Sequence, residues 1–299
     1  MLKMYQPHRH AGSSPELWEE NWASQPDFDV ALSFCQVDPL RPLFEDYAKP
    51  GTLMLEGGCG AGQYVAYYTA RGTRVVGLDF ARDTLARLRA AYPHLILCEG
   101  DVAALPFRDG SFDLYYSGGV VEHFEAGALP ALREARRVMR PGGVLLISVP
   151  YLSPLRRILT PFKQRLWKRV RKAEVDRNDQ GQDLQFFQYI FSPREFEALL
   201  AEAGLRVIKK QGYAILWGLY ELPFMEHIGR SLETRQANDQ RPTLAEGSVP
   251  QLNRGGSNRP SLLKRLVVSE DDSIPLFGIA VRTLRWACAN MMMYVCVPE

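Results

Sequence analysis

The chain has 299 residues, 46% hydrophobic and 23% charged, which suits one large α/β domain or two small ones and excludes disorder and collagen-like repetition. Lys plus Arg number 36 against 34 Asp plus Glu, a net charge of +2, so no global attraction to nucleic acid is built in and any basic surface is local. Cys35, Cys59, Cys98, Cys288 and Cys296 form no Cys-x-x-Cys pair or zinc-type spacing, which points to a reducing compartment.

Residues 1–50 read as an N-terminal helical segment. Met1 to Pro15 holds no apolar stretch of the length a secretory signal requires, and no uncharged apolar run anywhere reaches the ~18 residues of a membrane span. Gly212 to Tyr220 and Trp286 to Val297 are the longest candidates and read as buried segments, so a cytoplasmic protein is expected. Tyr5, Trp18, Trp22 and Phe28 either fold over a ligand as a lid or pack a leading helix, and both readings stand.

From Gly51 to Pro150 short apolar runs alternate with helical patterns, the form of a parallel sheet covered on both faces. Strands are expected at Thr52 to Glu56, Arg74 to Asp79, His94 to Glu99, Phe112 to Ser117 and Gly143 to Val149. Helices are expected at Gln63 to Ala70, Arg82 to Ala91 and Ala128 to Met139, the last ended by Pro141-Gly142-Gly143. Further on, Ser192-Pro193-Arg194-Glu195 has the form of a capping box, flanked by Phe191 and Phe196 as a hydrophobic staple. Its helix ends at Gly204, Leu205 to Ile208 reads as a sixth strand, and Asn290 to Val297 offers a seventh.

Two insertions interrupt this plan, at about 151–189 and 214–288. The first carries Arg156, Arg157, Lys163, Arg165, Lys168, Arg169, Arg171 and Lys172 beside an apolar stripe of Leu155, Ile158, Leu159, Phe162, Leu166 and Val170. Such an amphipathic segment covers a site as a substrate cap, meets an anionic membrane surface through residues 155–172, or packs on its own domain with its charges in water. Pro161 predicts a break within it. The second contains a polar stretch, Ser231 to Ser261, expected as a surface loop.

Between the first strand and the first helix stands Glu56-Gly57-Gly58-Cys59-Gly60-Ala61-Gly62. Its glycines let a ligand approach backbone. Asp79 ends the next strand, where a carboxylate can accept both hydroxyl protons of a ribose. Taken alone, the glycines also suit a tight turn and Asp79 a helix-start cap. The dinucleotide fingerprint Gly-x-Gly-x-x-Gly is absent, because Gly58, Gly60 and Gly62 are evenly spaced.

This acid-x-Gly-x-Gly-x-Gly pattern resembles motif I of class I S-adenosylmethionine-dependent methyltransferases. Four further stretches resemble the same family in order: Gly100-Asp101-Val102, Leu105-Pro106-Phe107 with Ser111-Phe112-Asp113, Ser117 to Phe124, and Met139 to Leu145. The resemblance covers about residues 51–150 and extends loosely to the last two strands. It implies a Rossmann-like, doubly wound α/β fold with seven strands in the order 3-2-1-4-5-7-6, strand 7 antiparallel.

It also implies S-adenosyl-L-methionine as cofactor. Glu56 would orient the methionyl ammonium, and Gly58, Gly60 and Gly62 would form the cradle. Asp79 would hold the ribose, Phe80 would cover the adenine, and Asp101 and Val102 would meet its amine and ring. Ser117 would open the segment after the fourth strand. A base is needed only where the acceptor must lose a proton, and His123 is the candidate. The competing role for Glu122-His123 is to build the pocket or cap a helix.

Some relatives use a Glu-x-x-Glu-His metal motif, but Gly119 stands at its first glutamate, so no metal is expected. Ser117-Gly118-Gly119-Val120 replaces the Asn-Pro-Pro-Tyr or Asp-Pro-Pro-Tyr of protein- and nucleic-acid-modifying branches. A small-molecule, lipid or glycan acceptor is therefore expected, and no nucleic acid. Two other classes stand beside the enzyme: a silent cofactor-binding scaffold, and a nicotinamide-dependent oxidoreductase, which the glycine spacing disfavours.

Overall fold

Continuous apolar runs such as Leu53–Leu55, Val75–Val76 and Leu145–Val149 have no polar face to offer water, so they form strands covered on both sides. The computed structural model describes residues 1–7, 14–23, 28–161, 184–222, 270, 272 and 275–299. Its strands are β1 (Leu2–Pro7), β2 (Leu53–Gly57), β3 (Arg74–Asp79), β4 (Ile96–Glu99), β5 (Phe112–Gly118), β6 (Met139–Pro150), β7 (Leu184–Ile190), β8 (Leu205–Tyr213) and β9 (Met291–Pro298). Seven of them make one sheet in the order β4-β3-β2-β5-β6-β9-β8. Counted along the sheet's own strands this is 3-2-1-4-5-7-6, and β9 runs antiparallel to both neighbours.

The helices are α1 (Pro15–Ala23), α2 (Phe28–Val37), α3 (Arg41–Tyr47), α4 (Gln63–Thr69), α5 (Arg82–Ala91), α6 (Leu129–Val138), α7 (154–161), α8 (Pro193–Glu202), α9 (Ile215–Leu219) and α10 (Pro275–Cys288). One core joins Leu55, Tyr115 and Leu145 of the sheet to Leu132 of α6 and Phe196 and Leu200 of α8. The other joins Met54, Val75 and Leu114 to Phe44 of α3, Val65 of α4 and Leu88 of α5. Each fully buried leucine is worth roughly 1.5 to 3 kcal/mol. These two cores fix the carboxyl ends of the parallel strands, where an open α/β sheet binds ligands.

At α8, the Ser192–Glu195 capping box forms, and the rings of Phe191 and Phe196 meet at 5.1 Å. Gly204 closes the helix with a φ of +74°, a conformation that glycine reaches without steric cost.

Several expectations need correction. The N-terminal segment is not purely helical, because β1 pairs antiparallel with β7, Leu2 opposite Ile190, in a separate two-stranded sheet. The pairing buries Phe186 and Tyr189, and Lys3 Nζ sits 5.8 and 5.6 Å from their ring centres. The first insertion therefore ends in a strand. Pro141-Gly142-Gly143 does not separate helix from strand: α6 ends at Val138, and β6 already runs through those residues. Gly143 lies so close to the carbonyls of Arg140, Phe112 and Asp113 that a Cβ would stand 3.0 to 3.3 Å from them.

Arg156, expected on a basic outer face, is buried, and its guanidinium donates to Glu221 Oε1 at 2.9 Å and to the Tyr151 carbonyl at 3.0 Å. It tethers α7 to the end of β6. Trp286 is 64% exposed although its segment was expected to be buried, whereas Met292 to Cys296 are buried. The basic stretch Lys163 to Lys172 and the loop Ser231 to Ser261 lie outside the described residues. Among the described residues, no helix is long and apolar enough to cross a membrane.

Candidate cofactor and acceptor site

The turn after β2 needs glycine for two separate reasons. Gly58 and Gly60 have φ of +76° and +49°, where side-chain-bearing residues are strained. A Cβ on Gly58 would also come within 2.4 Å of Val120, and one on Gly60 within 2.4 Å of Trp22. The amides of Gly58 and Cys59 donate to the Leu78 carbonyl at 2.7 and 3.0 Å, and Gly60 N–H donates to Asp79 Oδ2 at 2.7 Å. Asp79 Oδ1 accepts the Ala81 N–H at 2.9 Å. The end of β3 thus holds the loop after β2 in shape.

A cavity of about 430 Å³ opens at this edge, within the ordinary size of small-ligand sites. Glu56, Gly58, Asp79, Phe80, Asp101, Val102 and His123 line it. Three expected site residues stand behind its wall. Gly60 spends its amide on Asp79 and lies under Trp22; Gly62 caps α4 against Leu88; Ser117 is buried, with an Oγ that has no partner.

Sequence reasoning missed Gln63, Tyr64 and Tyr116, which also line the cavity. Tyr64 hydrogen-bonds Asp38 through its hydroxyl. Its place just inside the helix after the glycine loop was the available signal. Pro15, Trp18 and Trp22 of α1 form another wall, whereas Tyr5 stands edge-on to Phe186 and Phe28 packs beside Tyr92 on the core.

Electrostatically the site awaits positive charge. Glu56 is buried with Oε2 unpartnered, and burial, then the nearby Asp79 charge, push its pKa well up. Burial also raises Asp79, against the pull of the Ala81, Gly60 and Phe80 amides. Among the described residues no lysine or arginine lines the cavity. His123 is buried, its Nδ1 lies 2.8 Å from the Phe187 carbonyl, and desolvation lowers its pKa to about 4. Glu122 beside it is raised to about 8 by burial. No cluster of metal-binding side chains occurs among the described residues.

These residues fit S-adenosylmethionine. The bare Glu56 oxygen suits an ammonium, and Asp79 retains lone pairs for a diol. Phe80, Val102 and Asp101 offer apolar surface and a carboxylate to a purine.

Residues 55–147 match the methyltransferase domain family. A probable S-adenosylmethionine-dependent methyltransferase of Mycolicibacterium smegmatis is 40% identical over 100 residues, 33% of this chain and 38% of that protein. The malonyl-[acyl-carrier protein] O-methyltransferase of Serratia marcescens is 38% identical over 46% of this chain and 53% of its own length. A probable tRNA methyltransferase 9B of Mus musculus is 32% identical over 44% of this chain and 30% of its length. The chain thus spans about half, or less, of the curated relatives it matches. A solved Pyrococcus horikoshii protein shares the fold, with a TM-score of 0.50 and 22% identity over 64% of this chain and 92% of that one. Motif, sheet order, cavity and relatives agree on residues 55–147, which match the methyltransferase domain family, and they indicate S-adenosylmethionine as the cofactor.

Proposed function

We propose that the protein transfers the methyl group of S-adenosylmethionine to a small-molecule, lipid or glycan acceptor. The observation that carries this reading is the cavity at the strand ends, where Glu56, Asp79 and Asp101 stand together without a lysine or arginine among the described residues. A cation fits there, whereas a polyanion such as nucleic acid meets no counter-charge in that lining among the described residues. The relatives' names span an acyl-carrier substrate and tRNA, so the acceptor rests on the site's chemistry.

Bound S-adenosylmethionine supplies a methyl carbon on a sulfonium: the acceptor's lone pair takes the carbon, and the carbon–sulfur electron pair stays on sulfur. Glu56 would hold the ammonium, Asp79 the ribose hydroxyls, and Phe80, Asp101 and Val102 the purine, with Gly58 leaving room beside them. Trp18 and Trp22 exclude water. Alignment of this kind is worth roughly 7 to 11 kcal/mol, so no strong base is required. We place the protein in the cytoplasm, where free thiols such as its five cysteines persist.

The test is incubation with methyl-labelled cofactor and fractionated cell extract. Label in a low-molecular-mass, lipid or glycan product supports the reading. Label confined to RNA or protein contradicts the acceptor class, and no transfer to any fraction contradicts the enzyme.

A further inference from the structure

His123 enters the cavity on a short 3-10 turn, Val121–His123, that follows β5. Two elements distant in sequence hold its ring. The Phe187 carbonyl on β7 lies 2.8 Å from Nδ1, and the rings of Trp18 and Phe187 stand edge-on to the imidazole at 4.8 and 4.9 Å. A carbonyl oxygen can only accept, so Nδ1 carries the hydrogen and Nε2 keeps its lone pair. Nε2 has no hydrogen-bond partner among the described residues.

We propose that this end of the cavity selects an uncharged acceptor group bearing its own hydrogen, an amine or a hydroxyl, over a carboxylate. The inference rests on the methyltransferase reading above and adds to it the chemical class of the group that is methylated. An N–H or O–H can donate to Nε2 and leave a lone pair on its heteroatom free to attack. A carboxylate would set lone pairs against the lone pair of Nε2, in a cavity that already holds Glu56, Asp79 and Asp101.

Burial keeps the imidazole neutral at pH 7, with its pKa near 4, so Nε2 does not become a donor. Glu122, raised to about 8, supplies no negative charge at that pH to draw a proton onto the ring. Once the acceptor has gained the methyl carbon, its surplus proton already lies on the hydrogen bond to Nε2. His123 therefore orients the acceptor without having to ionise a hydroxyl beforehand. The oxonium formed from a hydroxyl is acidic enough to pass its proton through Nε2 to solvent, while a methylated amine keeps its proton and leaves as the ammonium.

The test uses the whole chain loaded with S-adenosylhomocysteine and labelled with nitrogen-15 at histidine, with His123→Asn identifying one signal set among five histidines. The expected spectrum has His123 protonated at Nδ1 and bare at Nε2. In parallel, product labelled from methyl-labelled cofactor and cell extract is treated with mild alkali, which frees methanol from methyl esters and leaves methyl amines and ethers intact. Label is expected to survive. A hydrogen on Nε2, or label released as methanol, overturns the acceptor class while leaving the methyltransferase reading in place. Failure of S-adenosylhomocysteine to bind, or absence of any labelled product, brings down both.

Discussion

Gly60 donates its amide hydrogen to Asp79 Oδ2 at 2.7 Å, so the carboxylate at the end of β3 shapes the glycine loop after β2. Its other oxygen accepts from Ala81 at 2.9 Å. Each oxygen retains lone-pair capacity for a ribose hydroxyl. We predict that Asp79→Ala weakens S-adenosylhomocysteine binding by about 1.5 to 3 kcal/mol, the scale of hydrogen bonds to a charged group. It also lowers stability by about 1 to 3 kcal/mol, because the buried Gly60 amide loses its acceptor. Calorimetry and denaturant titration separate the two losses, and unchanged affinity would refute the ribose assignment.

Helix α1 is fastened by a cap supplied from outside the helix it caps. Glu19 accepts the Asp83 amide at 2.7 Å, the Thr84 amide at 3.0 Å and the Thr84 hydroxyl at 2.7 Å. These are first-turn donors of α5, whose own N-cap, Ala81, provides no side-chain acceptor. Glu19→Ala should cost about 0.5 to 2 kcal/mol and release α1, so that Trp18 and Trp22 meet water. A red shift in tryptophan emission checks this. Parental emission and stability together would show that α1 is held by other contacts.

The neighbours Glu122 and His123 give opposite pH effects. The Glu122 pKa rises from its ordinary 4.5 to about 8, so between those values the folded chain binds the extra proton and stability falls as pH rises. The His123 pKa falls from 6.5 to about 4, so the unfolded chain binds the extra proton there and stability falls as pH drops. The two cancel between about pH 4.5 and 6.5, and Glu122 acts alone from about 6.5 to 8. We predict that Glu122→Gln removes a slope of up to about 1.4 kcal/mol per pH unit in that upper window. Denaturation at pH 6.5, 7 and 8 measures it, and parallel stability profiles for parent and variant would contradict the prediction.

Ser192 provides a control away from the cavity. Its hydroxyl and amide both engage Glu195 Oε2, at 2.6 and 3.0 Å. Ser192→Ala should destabilise the chain by about 0.5 to 2 kcal/mol and leave cofactor affinity unchanged. Loss of affinity in this variant would mean that stability changes alone perturb the site.

The parts legible in the sequence were those written in neighbouring residues. Val75 and Val76 announce a buried strand, Gly58 and Gly60 a turn with positive φ, and Ser192 with Glu195 a helix start. What escaped was written across long separations. Leu2 meets Ile190, Glu19 meets Thr84, and Asp38 meets Tyr64. Nothing local in Leu184–Ile190 names β1 as its partner, and nothing around His123 shows that the Phe187 carbonyl, 64 residues later, lies 2.8 Å from its Nδ1. Arg156 misled for the same reason, since its partners Glu221 and Asn290 lie far along the chain. Position at a strand end located the site, while the side chains that complete it came from tertiary packing.

The central claim is that Glu56, Asp79 and Asp101 form a binding site for S-adenosylmethionine, and calorimetric titration with S-adenosylhomocysteine tests it most directly. We predict stoichiometric binding to the parent chain, weakened roughly 10- to 150-fold in Asp79→Ala, the equivalent of about 1.5 to 3 kcal/mol. No heat of binding to the folded parent, or equal affinity in parent and variant, would contradict the account.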